Sequence, residues 1–129
     1  MTPQGRCAKE LQLPYPISAN RYWRKTRTGR VYVSAEAKEY KSQVRVIAQR
    51  NKVQIATGSV AMTYCFHPKK NKDGSESKVR LDLDNALKVV NDALNGIAYV
   101  DDRQIRRIVL EFGEPIVGGG ITVLIDEVL

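Results

Sequence analysis

The chain has 129 residues, a formal net charge of +7 and two cysteines, and its length fits one domain with a hydrophobic core of its own. Two cysteines are too few for a disulfide framework, and a single histidine argues against zinc hydrolases and Ser/His/Asp hydrolases. Because no apolar run reaches the roughly 18 residues that a membrane-spanning helix needs, the sequence predicts no membrane span.

The charge is distributed unevenly along the chain. Residues 1–50 carry 11 Lys or Arg against 3 Asp or Glu, residues 51–80 carry 6 against 2, and residues 81–129 carry 4 against 9. Such an asymmetry suggests a polyanionic partner, since phosphate neutralisation dominates the affinity of basic proteins for nucleic acid. The alternative is a basic surface that only keeps the protein in solution. The opening residues lack the apolar core of a signal peptide, so we expect a cytoplasmic protein.

Residues 9–14 predict a short first strand, which Pro14 and Pro16 end. The next segment, residues 18–33, interleaves cations with aromatic rings around a turn at Thr28–Gly29; its cations are Arg21, Arg24, Lys25, Arg27 and Arg30, and its rings are Tyr22, Trp23 and Tyr32. This pattern suits DNA, because cations meet phosphates and a ring stacks on an exposed base. The alternative is a hairpin with its rings in the core and its arginines in water. We expect Trp23 to be partly buried and the arginines to contact DNA.

Ser34 is the expected N-cap of a helix that runs to Arg50, and its buried face comprises Tyr40, Val44, Ile47 and Ala48. Residues 59–66 predict a strand with one apolar side, formed by Val60, Met62, Tyr64 and Phe66. Residues 67–79 are polar and predict a loop or hairpin tip at Asp73–Gly74. Its lysines, Lys69 and Lys70 among them, either close on DNA or are simply solvated.

Residues 80–83 are expected to be extended, which would place Asp82 and Asp84 on one side of the backbone. Asp84 then caps a second helix, which runs to about Leu94 and has Asp84, Lys88 and Asp92 on one face. Two further strands, at 105–112 and 120–128, are joined by a hairpin loop at Pro115 and residues 118–120. The sequence therefore predicts a single α+β domain over residues 1–129, with a small mixed sheet packed against two main helices.

Five aspartates crowd into residues 81–105 of this basic chain, namely Asp82, Asp84, Asp92, Asp101 and Asp102. Gathered carboxylates repel one another unless a divalent cation binds them, and hard cations such as Mg²⁺ take carboxylate oxygens. A metal ion activates water and compensates charge in phosphodiester hydrolysis. Asp82, Asp84 and Asp102 can converge around such a metal, and Lys88 can reach a phosphate oxygen or the developing alkoxide. The alternatives are a helix cap, turn residues, a solvated loop and a surface ion pair of Lys88.

The run DLDNALKVVNDALNGIAYVDD, together with PYPISANRYWR, resembles RusA-type Holliday-junction resolvases, which are endodeoxyribonucleases of bacteria and their phages. The resemblance implies a homodimer with a mixed α/β fold. It also implies Mg²⁺-dependent nicking of two opposite strands of a four-way DNA junction, with Mn²⁺ as an alternative metal. Many members carry a basic residue or a proline immediately before the first aspartate, whereas this chain has Leu81 there and Arg80 one step earlier.

The resemblance also implies roles for individual residues. Asp82 and Asp84 match the paired metal-binding aspartates, Asp102 the third essential carboxylate, and Lys88 the catalytic lysine. Asp101 and Asp92 match common acidic positions, and Asp101 is an additional candidate metal ligand. A two-fold dimer suits the junction, because it presents two equal sites to a substrate that needs two cuts. Apolar residues of the last two strands (Val109, Val123 and Ile125) fit either the core or the subunit interface.

Two other functions are compatible with these residues. One is a non-catalytic protein that binds branched DNA and uses its aspartates only for caps and turns. The other is a metal-dependent nuclease for other branched or flapped DNA. An intact carboxylate trio with a lysine favours catalysis, because acidic groups without a metal repel phosphates.

Overall fold

The computed structural model describes residues 9–79 and 81–128. In chain order the described elements are β1 (Lys9–Leu13), α1 (Ala19–Tyr22), β2 (Trp23–Lys25), β3 (Val31–Val33), α2 (Ala35–Arg50), β4 (Val60–His67), α3 (Leu83–Leu94), a 3₁₀ turn (Asp102–Gln104), β5 (Ile105–Phe112) and β6 (Gly120–Glu127).

Four of the strands form a mixed sheet in the order β1-β6-β4-β5. β6 is antiparallel to both of its neighbours, whereas β4 and β5 are parallel. A parallel pair needs a crossover, and α3 lies in the connection between these two strands. The remaining strands, β2 and β3, form a separate antiparallel hairpin. The α+β class and the mixed sheet are therefore as predicted, and the helices comprise the short α1 besides the two main ones.

β4 alternates between two environments along its whole length. Val60, Met62, Tyr64 and Phe66 are fully buried, and the residues between them are half-buried. The Tyr64 hydroxyl reaches Asn91 of α3, so the buried side of β4 faces that helix. α2 completes this layer, with Ser34 as its N-cap and with Tyr40, Val44 and Ala48 buried. These are the residues that the sequence predicted for the core, apart from Ile47, which is half-buried.

The predicted hairpin between the last two strands is wrong, because β5 and β6 are not neighbours. β6 lies between β1 and β4, and its side chains Ile121, Val123 and Ile125 are buried. β5 is an edge strand, with exposed residues at Arg106, Arg107 and Ile108. The loop at Pro115 and residues 118–120 therefore connects β5, on one side of β4, to β6 on the other side of β4. Val123 and Ile125 belong to the core, whereas Val109 pairs with Thr63 on the opposite face of the sheet.

The start of α3 also differs from the prediction. Asp82 occupies the N-cap position and Asp84 lies inside the first turn. The two aspartates are thus not on one side of an extended strand. Leu83 is the first residue of the helix and is half-buried against the core, so the helix begins two residues earlier than predicted. Arg80, which the prediction included in the strand, lies outside the described residues. No helix in the described part of the chain is both long and apolar enough to cross a membrane.

Candidate active site

The N-terminus of α3 presents two exposed carboxylates. Asp82 is the N-cap residue, but its side chain makes no capping hydrogen bond, and Asp84 follows two residues later in the first turn. The positive end of a helix dipole stabilises negative charge at these positions. Because the Asp82 carboxylate is not used as a cap, its oxygens are left for another partner.

Lys88 and Asp92 continue the same face of α3 below Asp84. Successive members of this row are four residues apart, hence about 6 Å along the helix axis. The row opens into a cleft, which is lined by Trp23, Lys88, Asn91, Asp92, Asn95 and Asp102. The cleft therefore brings the predicted lysine together with two carboxylates that are ten residues apart in the chain.

Asp92 is held from the side by α1, the short helix that directly precedes the β2–β3 hairpin. The hydroxyl of Tyr22, the last residue of α1, donates a hydrogen bond to the Asp92 carboxylate. Tyr22 is fully buried, and burial together with the hydrogen bond and the charge of Asp92 raises the pKa of this phenol. The hydroxyl consequently stays protonated as a donor at neutral pH, and Asp92 keeps a fixed orientation.

Asn91 is fixed from the other side by two tyrosines. The hydroxyls of Tyr64 and Tyr99 both donate to Asn91 Oδ1, the latter over 3.4 Å, and the Tyr99 hydroxyl also donates to the Asn91 carbonyl over 3.0 Å. Burial raises the pKa of each phenol, and the negative charge of Asp102 raises it further. Asn91 is therefore held in place by two protonated phenols.

The neighbouring aspartate, Asp101, has a structural role. Its side chain accepts a hydrogen bond from the Arg103 backbone N–H over 2.8 Å and caps the 3₁₀ turn, while the Gln104 side chain reaches back to the Asp101 N–H. The backbone and side-chain hydrogen bonds from Arg103 lower the pKa of Asp101. Since Arg103 and the turn already engage this carboxylate, the turn directs Asp102, and not Asp101, to the cleft.

The predicted metal ligands and the predicted catalytic lysine are distributed over two parts of the site. Asp102 and Lys88 line the cleft, whereas Asp82 and Asp84 lie at the N-terminus of α3, outside the lining. Within residues 9–79 and 81–128, no three His, Cys, Asp or Glu side chains are gathered closely enough to hold a metal ion. Asp82, Asp84 and Asp102 are all exposed, so their side chains are free to change rotamer.

Most of the predicted DNA-binding cations lie on the β2–β3 hairpin. Arg24 and Lys25 are on β2, and the turn that follows carries Arg27 and Arg30; all four are exposed. The turn is closed by hydrogen bonds between Thr26 and Arg30 and by Gly29, whose φ of 86° lies in the left-handed region. The hairpin therefore projects a compact set of positive charges.

The other cations have closer neighbours. Arg21 forms an ion pair with Glu36 of α2, so its charge is partly neutralised. Lys69 lies 4.8 Å from the centre of the Tyr15 ring, and both cations line a groove that ends at Leu81, next to Asp82. Lys70 is exposed in the turn that follows β4, where its backbone forms an isolated antiparallel β-bridge with Glu76. Residues 67–79 thus form the predicted hairpin tip, with Gly74 in the left-handed region at its end.

Sequence reasoning did not single out three of the site's residues. Asn85 Oδ1 accepts the Ala19 backbone N–H over 2.8 Å and ties α1 to α3. Asn91 and Asn95 place amide groups in the cleft. These two asparagines are four residues apart and follow Asp84 and Lys88 in the chain. This spacing is the one sequence signal that could have placed their amides in the site.

Comparison with known proteins decides the family. Residues 14–126 match the family model described as Endodeoxyribonuclease RusA. The chain belongs to the RusA family. Over 119 residues it is 34% identical to the crossover junction endodeoxyribonuclease of Enterobacteria phage HK97, with 92% of this chain and 93% of the relative covered.

Two bacterial relatives extend this comparison. The chain is 34% identical over 98 residues to the crossover junction endodeoxyribonuclease RusA of Escherichia coli K12, with 74% of each protein covered. It is 30% identical over 116 residues to the uncharacterised protein YqaN of Bacillus subtilis, with 77% of this chain and 82% of the relative covered. The protein is accordingly an enzyme of the RusA type, an endodeoxyribonuclease.

Proposed function

We propose that this RusA-family nuclease resolves four-way DNA junctions by paired, symmetric, Mg²⁺-dependent nicks. The observation that carries the proposal is the sequence of side chains along α3: exposed Asp82 and Asp84 at its N-terminus are followed by Lys88, which lines the cleft together with Asp102. The hairpin that carries the exposed cations directly follows Tyr22, and the Tyr22 hydroxyl is bonded to Asp92 of α3. The relatives from phage HK97 and Escherichia coli carry the name crossover junction endodeoxyribonuclease, which supports the choice of substrate.

The proposed metal ligands are Asp82, Asp84 and Asp102. Their chemistry fits a hard divalent cation, because all three offer carboxylate oxygens and the Asp82 side chain is not engaged as a helix cap. Binding requires the exposed side chains to turn toward one another, since the described residues hold no preformed trio. A bound divalent ion lowers the pKa of water and compensates charge on the phosphate. Asp101 is left out of this ligand set, because Arg103 and the 3₁₀ turn already use its carboxylate.

Lys88 is the proposed contact to the cut phosphate. It is exposed, and it lies one helical turn from Asp84 and in the same cleft as Asp102. Its ammonium group can bind a non-bridging phosphate oxygen and stabilise the charge that develops on the leaving alkoxide. Its position between carboxylates also limits the repulsion that DNA would meet at an acidic site.

The proposed DNA contacts are the cations of the hairpin and of the groove. Arg24, Lys25, Arg27 and Arg30 are exposed and project together, Arg21 and Lys69 line the groove that ends at Leu81, and Lys70 is exposed in the turn after β4. Contacts of this kind neutralise phosphates and release counterions, so they supply most of the affinity without reading sequence. The DNA substrate also supports the expected cytoplasmic location.

We further propose that the enzyme works as a homodimer. The face of β4 that points away from the helices carries Ala61, Thr63 and Cys65, which are only half-buried, and Val109 and Leu124 lie beside them on the flanking strands. A two-fold pair of such faces would bury them and present two equal sites to a junction of similar symmetry. Light scattering should give twice the chain mass, and Leu124→Lys should reduce it to the monomer mass. A wild-type monomer that still makes paired nicks would contradict this part of the proposal.

The function is tested by cleavage of a synthetic four-way junction beside linear duplex with the same arm sequences, with Mg²⁺ and with EDTA. We expect symmetric nicks in the junction alone, dependent on Mg²⁺ and absent in Asp84→Asn. Glu39→Gln is the matched control, because it removes one exposed carboxylate from α2. Tight binding without cutting under any metal would instead indicate a binding protein, and preferential cutting of flapped DNA would indicate a different branched substrate.

A further inference from the structure

One residue in the lining of the cleft is aromatic, and it has no role in the chemistry proposed so far. Trp23 is half-buried and lines the same cleft as Lys88 and Asp102. One side of its ring packs edge-on against Tyr22, with the ring centroids 4.5 Å apart and the planes at 61°. Part of the Trp23 side chain also packs against the hydrophobic core, and its remaining accessible surface borders the cleft.

Three hydrogen bonds fix the backbone of Trp23 and its packing partner Tyr22 before any DNA binds. The Trp23 backbone N–H donates to the Ala19 carbonyl, and the neighbouring Tyr22 carbonyl accepts the Ser34 N–H over 2.9 Å. The Tyr22 hydroxyl is bonded to Asp92. Since both its backbone and its packing partner are fixed, the indole loses little freedom when it binds a ligand, which favours affinity.

The polar groups beside the ring match the edge of a nucleobase. Asn91 Oδ1 is occupied by two tyrosine hydroxyls, so the remaining group of this amide is its NH₂ donor. Asn95 Oδ1 is the one buried side-chain polar atom of the described residues without a hydrogen-bond partner. Buried polar atoms are nearly always satisfied in folded proteins, so an orphaned acceptor in the lining of a cleft points to a donor on a ligand. One donor and one acceptor are what side-chain amides use to read a base edge.

We propose that Trp23 stacks on an unpaired nucleobase adjacent to the cut phosphate, with Asn95 accepting a hydrogen bond from that base. This inference rests on the proposed function and deepens it, because it names the feature that separates branched from linear DNA. In a linear duplex every base is stacked and paired, so none is available to the ring. At a branch point a base can leave the stack, and the cleft then offers it an aromatic face, a donor and an acceptor.

The chain offers a direct readout, because Trp23 is its single tryptophan. Asp84→Asn protein, which leaves DNA intact, is titrated in Mg²⁺ with a four-way junction and with linear duplex, and the tryptophan fluorescence is recorded. We expect quenching by the junction that the duplex does not reproduce at equal occupancy. Equal quenching by the two DNAs, or none by either, would overturn the proposal.

Three variants separate stacking from packing. Trp23→Leu should weaken junction binding about 10-fold, as expected for a lost base stack, and leave duplex binding unchanged. Trp23→Phe keeps a ring and should restore most of the junction affinity. Phe112→Leu removes an exposed ring of β5 that does not line the cleft, and it should change neither. Melting temperatures of all three identify any loss of folding, which would affect junction and duplex binding alike.

The outcomes distinguish this inference from the proposed function. If the wild type cuts junctions and Trp23→Leu binds and cuts them equally well, the base-stacking site is wrong and the resolvase function stands. If the wild type cuts no junction but its fluorescence and the Leu variant respond as expected, the base site stands and the resolvase function fails.

Discussion

The Tyr22 hydroxyl donates a hydrogen bond to the carboxylate of Asp92, although the two residues are 70 positions apart in the chain. This bond joins the segment that carries the proposed DNA-binding cations to the helix that carries Asp84 and Lys88. The bond between Asn85 and the Ala19 N–H makes a second connection, three residues nearer to the start of the hairpin segment. DNA bound at the hairpin, as proposed, would consequently be held in a fixed relation to the carboxylates, which is the geometric requirement for cutting at one defined phosphate.

The first prediction concerns this bond. Tyr22→Phe should lower the free energy of unfolding by about 1.5–3 kcal/mol, because the hydrogen bond goes to a charged acceptor. Tyr40→Phe is the matched control, since the buried Tyr40 hydroxyl donates to the neutral carbonyl of Pro14 over 2.8 Å and should contribute only about 1 kcal/mol. Urea unfolding measures both. Tyr22→Phe should also lower the cutting rate at saturating junction, whereas Tyr40→Phe should not; equal effects of the two variants would show that the Asp92 carboxylate is not oriented by Tyr22.

Much of this fold could be predicted from local sequence signals. The N-cap Ser34 and the alternating residues of β4 depend on neighbours a few positions away, and both lie where the pattern placed them. The pairing of β5 and β6 depended on which strand occupies the centre of the sheet, and no local signal decides that. The short loop at Pro115 suggested a hairpin, but the strand whose side chains are buried on the helix side, β6, is inserted beside β4 instead.

For the candidate site too, local sequence signals predict some features and not others. The i, i+4, i+8 spacing of Asp84, Lys88 and Asp92 placed them on one helix face, and the cleft contains the last two together with Asp102. The distinction between Asp101 and Asp102 could not be made from two identical neighbours in sequence, because it depends on the direction of the 3₁₀ turn and on the reach of Arg103. The place of Trp23 in the cleft depends on contacts between α1 and α3, which are distant in the chain.

The second prediction separates these two aspartates. Asp102→Ala should abolish cutting with little change in melting temperature, because its carboxylate is exposed and is a proposed metal ligand. Asp101→Ala should lower the melting temperature, because the cap of the 3₁₀ turn is lost, and should retain most of the cutting. Asp101→Asn keeps an acceptor for the Arg103 N–H and should restore the melting temperature. Junction cleavage and thermal unfolding of the three variants check this assignment, and a loss of cutting in Asp101→Asn would return Asp101 to the metal site.

The third prediction concerns the charge of the hairpin. Removing Arg24 and Lys25 together as Gln should weaken binding to any DNA and reduce the slope of log K against log salt by roughly two units, one for each lost phosphate contact. Lys38→Gln with Arg45→Gln removes the same charge from exposed positions of α2 and serves as the control. Binding titrations over a range of salt concentrations give both slopes. An unchanged slope in the hairpin variant would mean that these cations are solvated and not in contact with DNA.

The fourth prediction concerns alkaline pH. Burial raises the pKa of Tyr22, Tyr40, Tyr64 and Tyr99 above the ordinary value of 10.0. The folded state thus binds these four protons more tightly than the unfolded state does. Their contribution to stability is complete below about pH 10, where the unfolded phenols titrate, and is lost as the pH rises above that value.

The native protein should therefore show the tyrosinate absorbance of these four phenols only in the pH step in which its circular dichroism signal is lost. In concentrated urea the same absorbance should rise near pH 10 without a cooperative step. Tyr64→Phe should reduce the cooperative step by one phenol. Gradual ionisation of the four phenols in a protein that stays folded would show that their hydroxyls are open to solvent. Asn91 and Asp92 would then lack the fixed orientation on which the geometry of the site depends.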